Sequence, residues 1–182
     1  MLTTLVVNVE DKPGVLNRVA SLFRRRGFNI ESLTVGKTEK PGISRMTIVM
    51  DTDEAGAMRM TANLYKLINV VRVDNVTSSP SVFRDLAMIK VATTPENRAE
   101  IMQVAHVFRA RVVDVNPESL MIEATGAEDK INGLVDVMRG YGILEMARTG
   151  RVAMRRGSKA ETSALSFEGA DAAEDETLSY SV

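Results

Sequence analysis

The stretch Asp11, Lys12, Pro13, Gly14 holds the residue types best suited to grip a small charged molecule. Gly14 lets a ligand approach the backbone with no Cβ in the way, and Pro13 has its φ preset for a first helical turn. The amides that follow point free N–H groups outward, an arrangement that suits a carboxylate. Asp11 beside them can accept from an ammonium, so the loop matches both charges of a zwitterion. Asn29 and Ile30, beyond the next helix, add an amide side chain and apolar surface at a sheet edge. On these residues alone, the loop is equally well a plain helix cap after a strand.

Catalytic chemistry has thinner support. His106 is the only histidine, and between Ala105 and Val107 in a helical pattern it reads as an ordinary exposed or partly packed helix residue. With no cysteine in 182 residues, disulfides, thiolate metal sites and cysteine nucleophiles are all excluded. Gly140, Tyr141 and Gly142 begin a weak glycine string, but it follows a helix and not a strand, so phosphate-cradling geometry is missing. No Walker lysine motif, nucleophile elbow or paired-histidine metal spacing occurs. The expectation is a non-enzyme with no metal and no cofactor of its own.

The apolar fraction of 45% and charged fraction of 26% are those of a globular protein, and the formal net charge of -1 gives no pull toward nucleic acid or membrane. The start, Met1 to Glu10, lacks the basic n-region of a signal peptide, and its apolar run is too short to span a bilayer. A cytoplasmic protein is expected. From Gly157 to Val182 there are six acids against the single base Lys159, whereas the preceding residues carry a net +4. Residues 157–182 are therefore expected to form a disordered, solvating acidic tail.

Two similar passes of elements must position the loop. Leu5, Val7 and Val9 alternate as a strand, and Val15, Leu16, Val19, Ala20, Leu22 and Phe23 line one helical face. Arg24 to Arg26 complement that helix's C-terminal dipole, and Gly27 sits where a C-cap glycine belongs. Ile30 to Lys37 and Ile43 to Met50 read as strands joined by a turn at Pro41 and Gly42. Asp51 or Thr52 caps a helix bearing Met60, Leu64 and Leu67, which ends near Asn69 before the β-branched run Val70 to Val76. The second pass has strand Leu86 to Ala92, a helix opened by Thr94 and Pro95, strands Val112 to Asn116 and Leu120 to Thr125, helix Asp129 to Arg139, and closing strand Ile143 to Met154. Val19, Ala20, Phe23, Arg24 and Arg26 align with Val104, Ala105, Phe108, Arg109 and Arg111, which suggests duplication. The expected fold class is α+β, two ferredoxin-like βαββαβ domains: residues 1–77, a linker 78–82, and residues 83–156.

That fold hosts many functions, so the sites must discriminate. A metallochaperone needs a Cys-x-x-Cys loop after the first strand. An RNA-recognition sheet needs aromatic residues, absent from Leu2 to Val9. Arg24 to Arg26 at a helix end read as solvated and not as a phosphate contact. The second copy's loop, Thr93 to Asn97, keeps a proline but has no glycine, so one ligand-binding copy is expected.

Val9 to Val19, through Glu10, Asp11, Lys12, Pro13, Gly14, Val15 and Leu16, resembles the opening of an ACT domain. Arg25 to Val35, with Gly27, Phe28, Asn29, Ile30 and Glu31, followed by Ser44 to Ile48, resembles the small regulatory subunit of acetohydroxyacid synthase (acetolactate synthase). The likeness continues through Arg84 to Lys90 and Phe108 to Pro117 to about Gly157. It implies a chain without a catalytic centre, partnered by a large catalytic subunit that carries thiamine diphosphate, magnesium and FAD. It also implies activation of that subunit and feedback inhibition by valine or another branched-chain amino acid. By position, the implied effector contacts are Asp11, Gly14, Asn29 and Ile30, shared across a homodimer of N-terminal ACT domains, with the second domain helping to dock the catalytic subunit. Asp11 stands where some members have asparagine. The competing expectation is a free-standing ACT-type sensor acting on another enzyme or on transcription.

Overall fold

A computed structural model describes residues 1–157; the expected acidic tail lies outside the described residues beyond Gly157. Its elements run β1 (Leu2–Glu10), α1 (Val15–Arg25), β2 (Ser32–Lys37), β3 (Ile43–Asp51), α2 (Glu54–Leu64) and β4 (Val70–Asn75) in the first half. The second half has β5 (Ser81–Ala92), α3 (Arg98–Val107), β6 (Arg111–Val115), β7 (Ser119–Gly126), α4 (Glu128–Arg139), β8 (Ile143–Arg148) and β9 (Val152–Arg155). The sheets have strand orders β2-β3-β1-β4 and β6-β7-β5-β8, the same permutation twice, and all pairs are antiparallel. This is the expected α+β class, with two ferredoxin-like halves.

In each half two helices cover one sheet face. Leu5, Val7 and Val9 of β1 meet Val15, Val19, Leu22 and Phe23 of α1 and Ala57, Met60 and Leu64 of α2. Complete burial of Phe23 alone is worth about 1.5 to 3 kcal/mol. Ala87, Ile89 and Val91 occupy the corresponding places in β5, beneath Ile101, Ala105, Ile131, Leu134 and Met138. By this packing, Val19 and Phe23 correspond to Ile101 and Ala105. The repeat read from sequence, with Val104 and Phe108 in those places, is displaced by about one helical turn. A slip of that size keeps the same helix face, which is why the false register looked plausible.

Several boundaries differ from expectation, among them the start of β2, at Ser32 and not Ile30. Asp53, not Asp51 or Thr52, caps α2, its side chain accepting from the Gly56 amide at 2.7 Å; Asp51 still belongs to β3, opposite Leu2. Helix α2 ends at Leu64, well before Asn69, and the Tyr65 hydroxyl accepts from the Val73 amide at 3.0 Å, tying the turn to β4. Helix α3 begins at Arg98 because Asn97 Oδ1 accepts from the Thr94 amide (2.8 Å) and the Thr93 hydroxyl (3.1 Å), holding Thr94 to Asn97 as a turn. The closing strand is broken at Thr149 to Arg151, where Gly150 has φ +80°.

That break has architectural weight. Strand β9 leaves β8's alignment and pairs with Ser81 to Arg84, so β5 begins inside the stretch read as linker. Ala153 packs with Val6, Val76 and Phe83, forming a small third core on the face of the first sheet that its helices do not cover.

Candidate functional site

Gly14 caps α1 with φ +81°, and an added Cβ would meet nothing within 4 Å. The glycine is there for its left-handed backbone and open approach, not for tight packing. Helix α1 starts at Val15, so Pro13 stands outside it and not in its first turn. No side chain caps this end and its first turn holds no acid; among the described residues the Leu16 and Asn17 amides have no acceptor. Asp11, Lys12, Pro13 and Gly14 are all exposed. The second copy differs in kind, because Asn97 and Thr93 satisfy their own loop.

Beneath the loop lies a polar network that sequence reasoning missed. Nearly buried Asn69 donates to Glu10 and accepts from Arg18, while Lys12 pairs with Glu10 at 3.0 Å. The hydrogen bond from Asn69, then that from Lys12, holds the Glu10 carboxyl below its ordinary value. The only sequence signal was local, Glu10 and Lys12 two apart and flanking Asp11.

The other two expected residues follow the far end of α1. Gly27, at φ +71°, closes the helix: its amide donates to Arg24 O at 3.2 Å and the Phe28 amide to Phe23 O at 3.0 Å. Phe28 then turns into the core and Ile30 packs half-buried against it, leaving Asn29 exposed, its amide donating to Glu31 Oε1 at 2.6 Å.

One chain does not bring these two groups together. The Asp11 amide donates to Gly42 O at 2.7 Å and the Glu31 amide to Val49 O at 2.8 Å. Gly42 and Val49 bracket most of β3, so roughly 20 Å of sheet separates the groups. No single amino acid spans that distance. Strand β2, however, is the sheet's edge, with no backbone partner on its outer side among the described residues. Val35 of β2 is substantially exposed, as is Leu16 at the start of α1.

His106 is exposed on α3, and Gly140 to Gly142 form the turn from α4 into β8. Among the described residues there is no cluster of three or more potential metal ligands and no helix long and apolar enough to cross a membrane.

Family models match both halves: an AHAS small subunit-like ACT domain over residues 5–72, and the small subunit of acetolactate synthase over residues 84–157. The chain belongs to the acetolactate synthase small-subunit family. It is 55% identical over 159 residues to a protein of Archaeoglobus fulgidus named "Probable acetolactate synthase small subunit", covering 87% of this chain and 99% of that one. It is 50% identical to the acetolactate synthase small subunit of Mycolicibacterium smegmatis, covering 86% and 92%. The crystal structure of the acetolactate synthase small subunit from Thermotoga maritima superposes with a TM-score of 0.82 at 38% identity, covering 87% of this chain and 99% of that one. Membership in a small-subunit family implies a large catalytic partner.

Proposed function

We propose that this chain is the regulatory subunit of acetolactate synthase, activating the catalytic subunit and making it sensitive to a branched-chain amino acid, valine first among the candidates. The open, uncapped start of α1 at Gly14 carries this reading, because it presents free amides to a carboxylate beside the exposed Asp11. The chemistry, with thiamine diphosphate, magnesium and FAD, resides on the catalytic subunit. The second half, residues 83–156, helps dock that subunit.

The effector site is shared between two copies. If two β2 edges pair antiparallel about a two-fold axis, the start of one β2 lies beside the end of the other. Asn29 and Ile30 of one copy then reach the sheet end that carries Asp11 and Gly14 of its partner. Separation within one chain and the free β2 edge both favour this assembly. Effector binding at the interface shifts the activating arrangement only through its differential affinity for two states, typically about 1 to 3 kcal/mol of coupling.

Reconstitution with the purified catalytic subunit tests the reading. The chain should raise acetolactate formation and confer inhibition by valine, leucine or isoleucine; Gly14→Asp should keep the first effect and lose the second. No rise in acetolactate formation would favour a free-standing sensor of another system.

A further inference from the structure

Between β8 and β9 the chain crosses from the second sheet to the bare face of the first. The approach is close: a Cβ on Gly150 would lie 2.2 Å from Ser32 Oγ. The Thr34 hydroxyl donates to the carbonyls of Thr149 (3.1 Å) and Arg151 (3.4 Å), and the Arg151 amide donates to Ser32 Oγ at 3.1 Å. The Arg151 guanidinium then reaches three ways. Nη1 donates to Thr4 Oγ1 at 3.0 Å, Nη2 donates to the Glu128 carboxylate, and the group stands 5.2 Å above the centroid of the Phe83 ring. Thr4, Ser32 and Thr34 belong to the first half, Phe83 and Glu128 to the second. One largely buried arginine thus joins both.

This junction adjoins half of the proposed effector site. Ser32 opens β2 just after Asn29, Ile30 and Glu31. Glu31, held by the Asn29 amide, lines a cleft of about 250 Å³ whose other walls include Glu128, Arg148 and Arg151.

We propose that Arg151 is the coupling residue through which effector occupancy at Asn29 and Ile30 reaches the second half. The proposal rests on the effector reading above. A ligand that takes the Asn29 amide frees the Glu31 carboxylate, which turns into the cleft and competes with Glu128 for Arg151. An ion pair internal to the second half, Arg151 with Glu128, is thereby exchanged for one between the halves. That exchange supplies the difference between bound and free states that any ligand-driven change requires.

The test uses the reconstituted holoenzyme with Arg151→Gln. Calorimetric valine affinity and stimulation of the catalytic subunit should each stay within about twofold of wild type, while the maximal inhibition reached at saturating valine falls to less than about half of the wild-type extent, a loss of coupling without a loss of binding. Thr4→Val, which removes one Arg151 contact at nearly constant shape, should move inhibition in the same direction by a smaller factor, and it decides the matter if Arg151→Gln does not fold. Inhibition unchanged, or binding and inhibition lost in equal proportion, would overturn the coupling role. A wild-type holoenzyme that none of valine, leucine and isoleucine inhibits would instead overturn the effector reading, and the coupling role with it.

Discussion

The Asn69 side-chain amide donates to the Glu10 carboxylate across 59 positions of sequence, and this bond anchors the base of the Asp11 to Gly14 loop. Asn69 is nearly buried, and the same side chain accepts from Arg18. Asn69→Leu removes both bonds, but the Glu10 and Arg18 side chains reach water and regain partners there, so urea denaturation should show a loss smaller than that of stranding a buried polar group. The pH dependence has a definite sign. Because the folded Glu10 carboxyl titrates below its ordinary value, its contribution is complete above that ordinary value and disappears as pH falls through the lowered one. Asn69→Leu should therefore flatten the acid limb of the stability profile; an unaltered acid limb would show that the bond does not matter.

Two glycines separate backbone strain from crowding. At Gly56 a Cβ would lie 2.0 Å from Thr52 Oγ1 and 2.9 Å from the capping Asp53 Oδ1. Gly56→Ala should cost about 1 to 3 kcal/mol in thermal or urea unfolding by displacing the α2 cap. Gly14→Ala meets open space, so its cost is the left-handed backbone alone, about 1 to 2 kcal/mol. A Gly56→Ala variant as stable as wild type would contradict the packing at the start of α2.

Asp85, at 5% exposure, is the most buried carboxylate described, and Arg148 donates to its Oδ2 through Nε at 2.9 Å and through Nη2. Arg148→Met strands that charge, with an expected loss of about 3 kcal/mol. Asp85→Asn together with Arg148→Met should recover much of it. If the double variant is no better than the single, the pair is not what stabilises this end of β5.

Elements set by local spacing were readable in the sequence. Helix α1, with Val15, Val19, Leu22 and Phe23 on one face and Gly27 beyond its end, and the hairpin turn at Pro41 and Gly42, follow from periodicity and backbone freedom alone. What was not readable depends on pairing at a distance. Asp51, Thr52 and Asp53 are all competent caps, and only the pairing of Asp51 with Leu2 excludes the first. The apolar pattern from Ile143 to Met154 runs on as if through one strand, but Gly150 redirects the chain toward Ser32. Of the candidate site, the loop and Asn29 were visible in residue types. The Glu10, Arg18 and Asn69 network was not, because its members are joined only by the fold.

The central claim is that the effector site is built from two copies of the chain, and mixing two defective variants tests it most directly. Gly14→Asp and Asn29→Ala homodimers should each fail to bind valine by calorimetry. Unfolded and refolded together, they form heterodimers in which one site carries both defects and the other carries neither. Recovery of valine binding in the mixture, at wild-type affinity and a fraction of the wild-type stoichiometry, is the predicted result. If heterodimers form and no binding returns, both halves of the site lie in the same chain and the account is wrong.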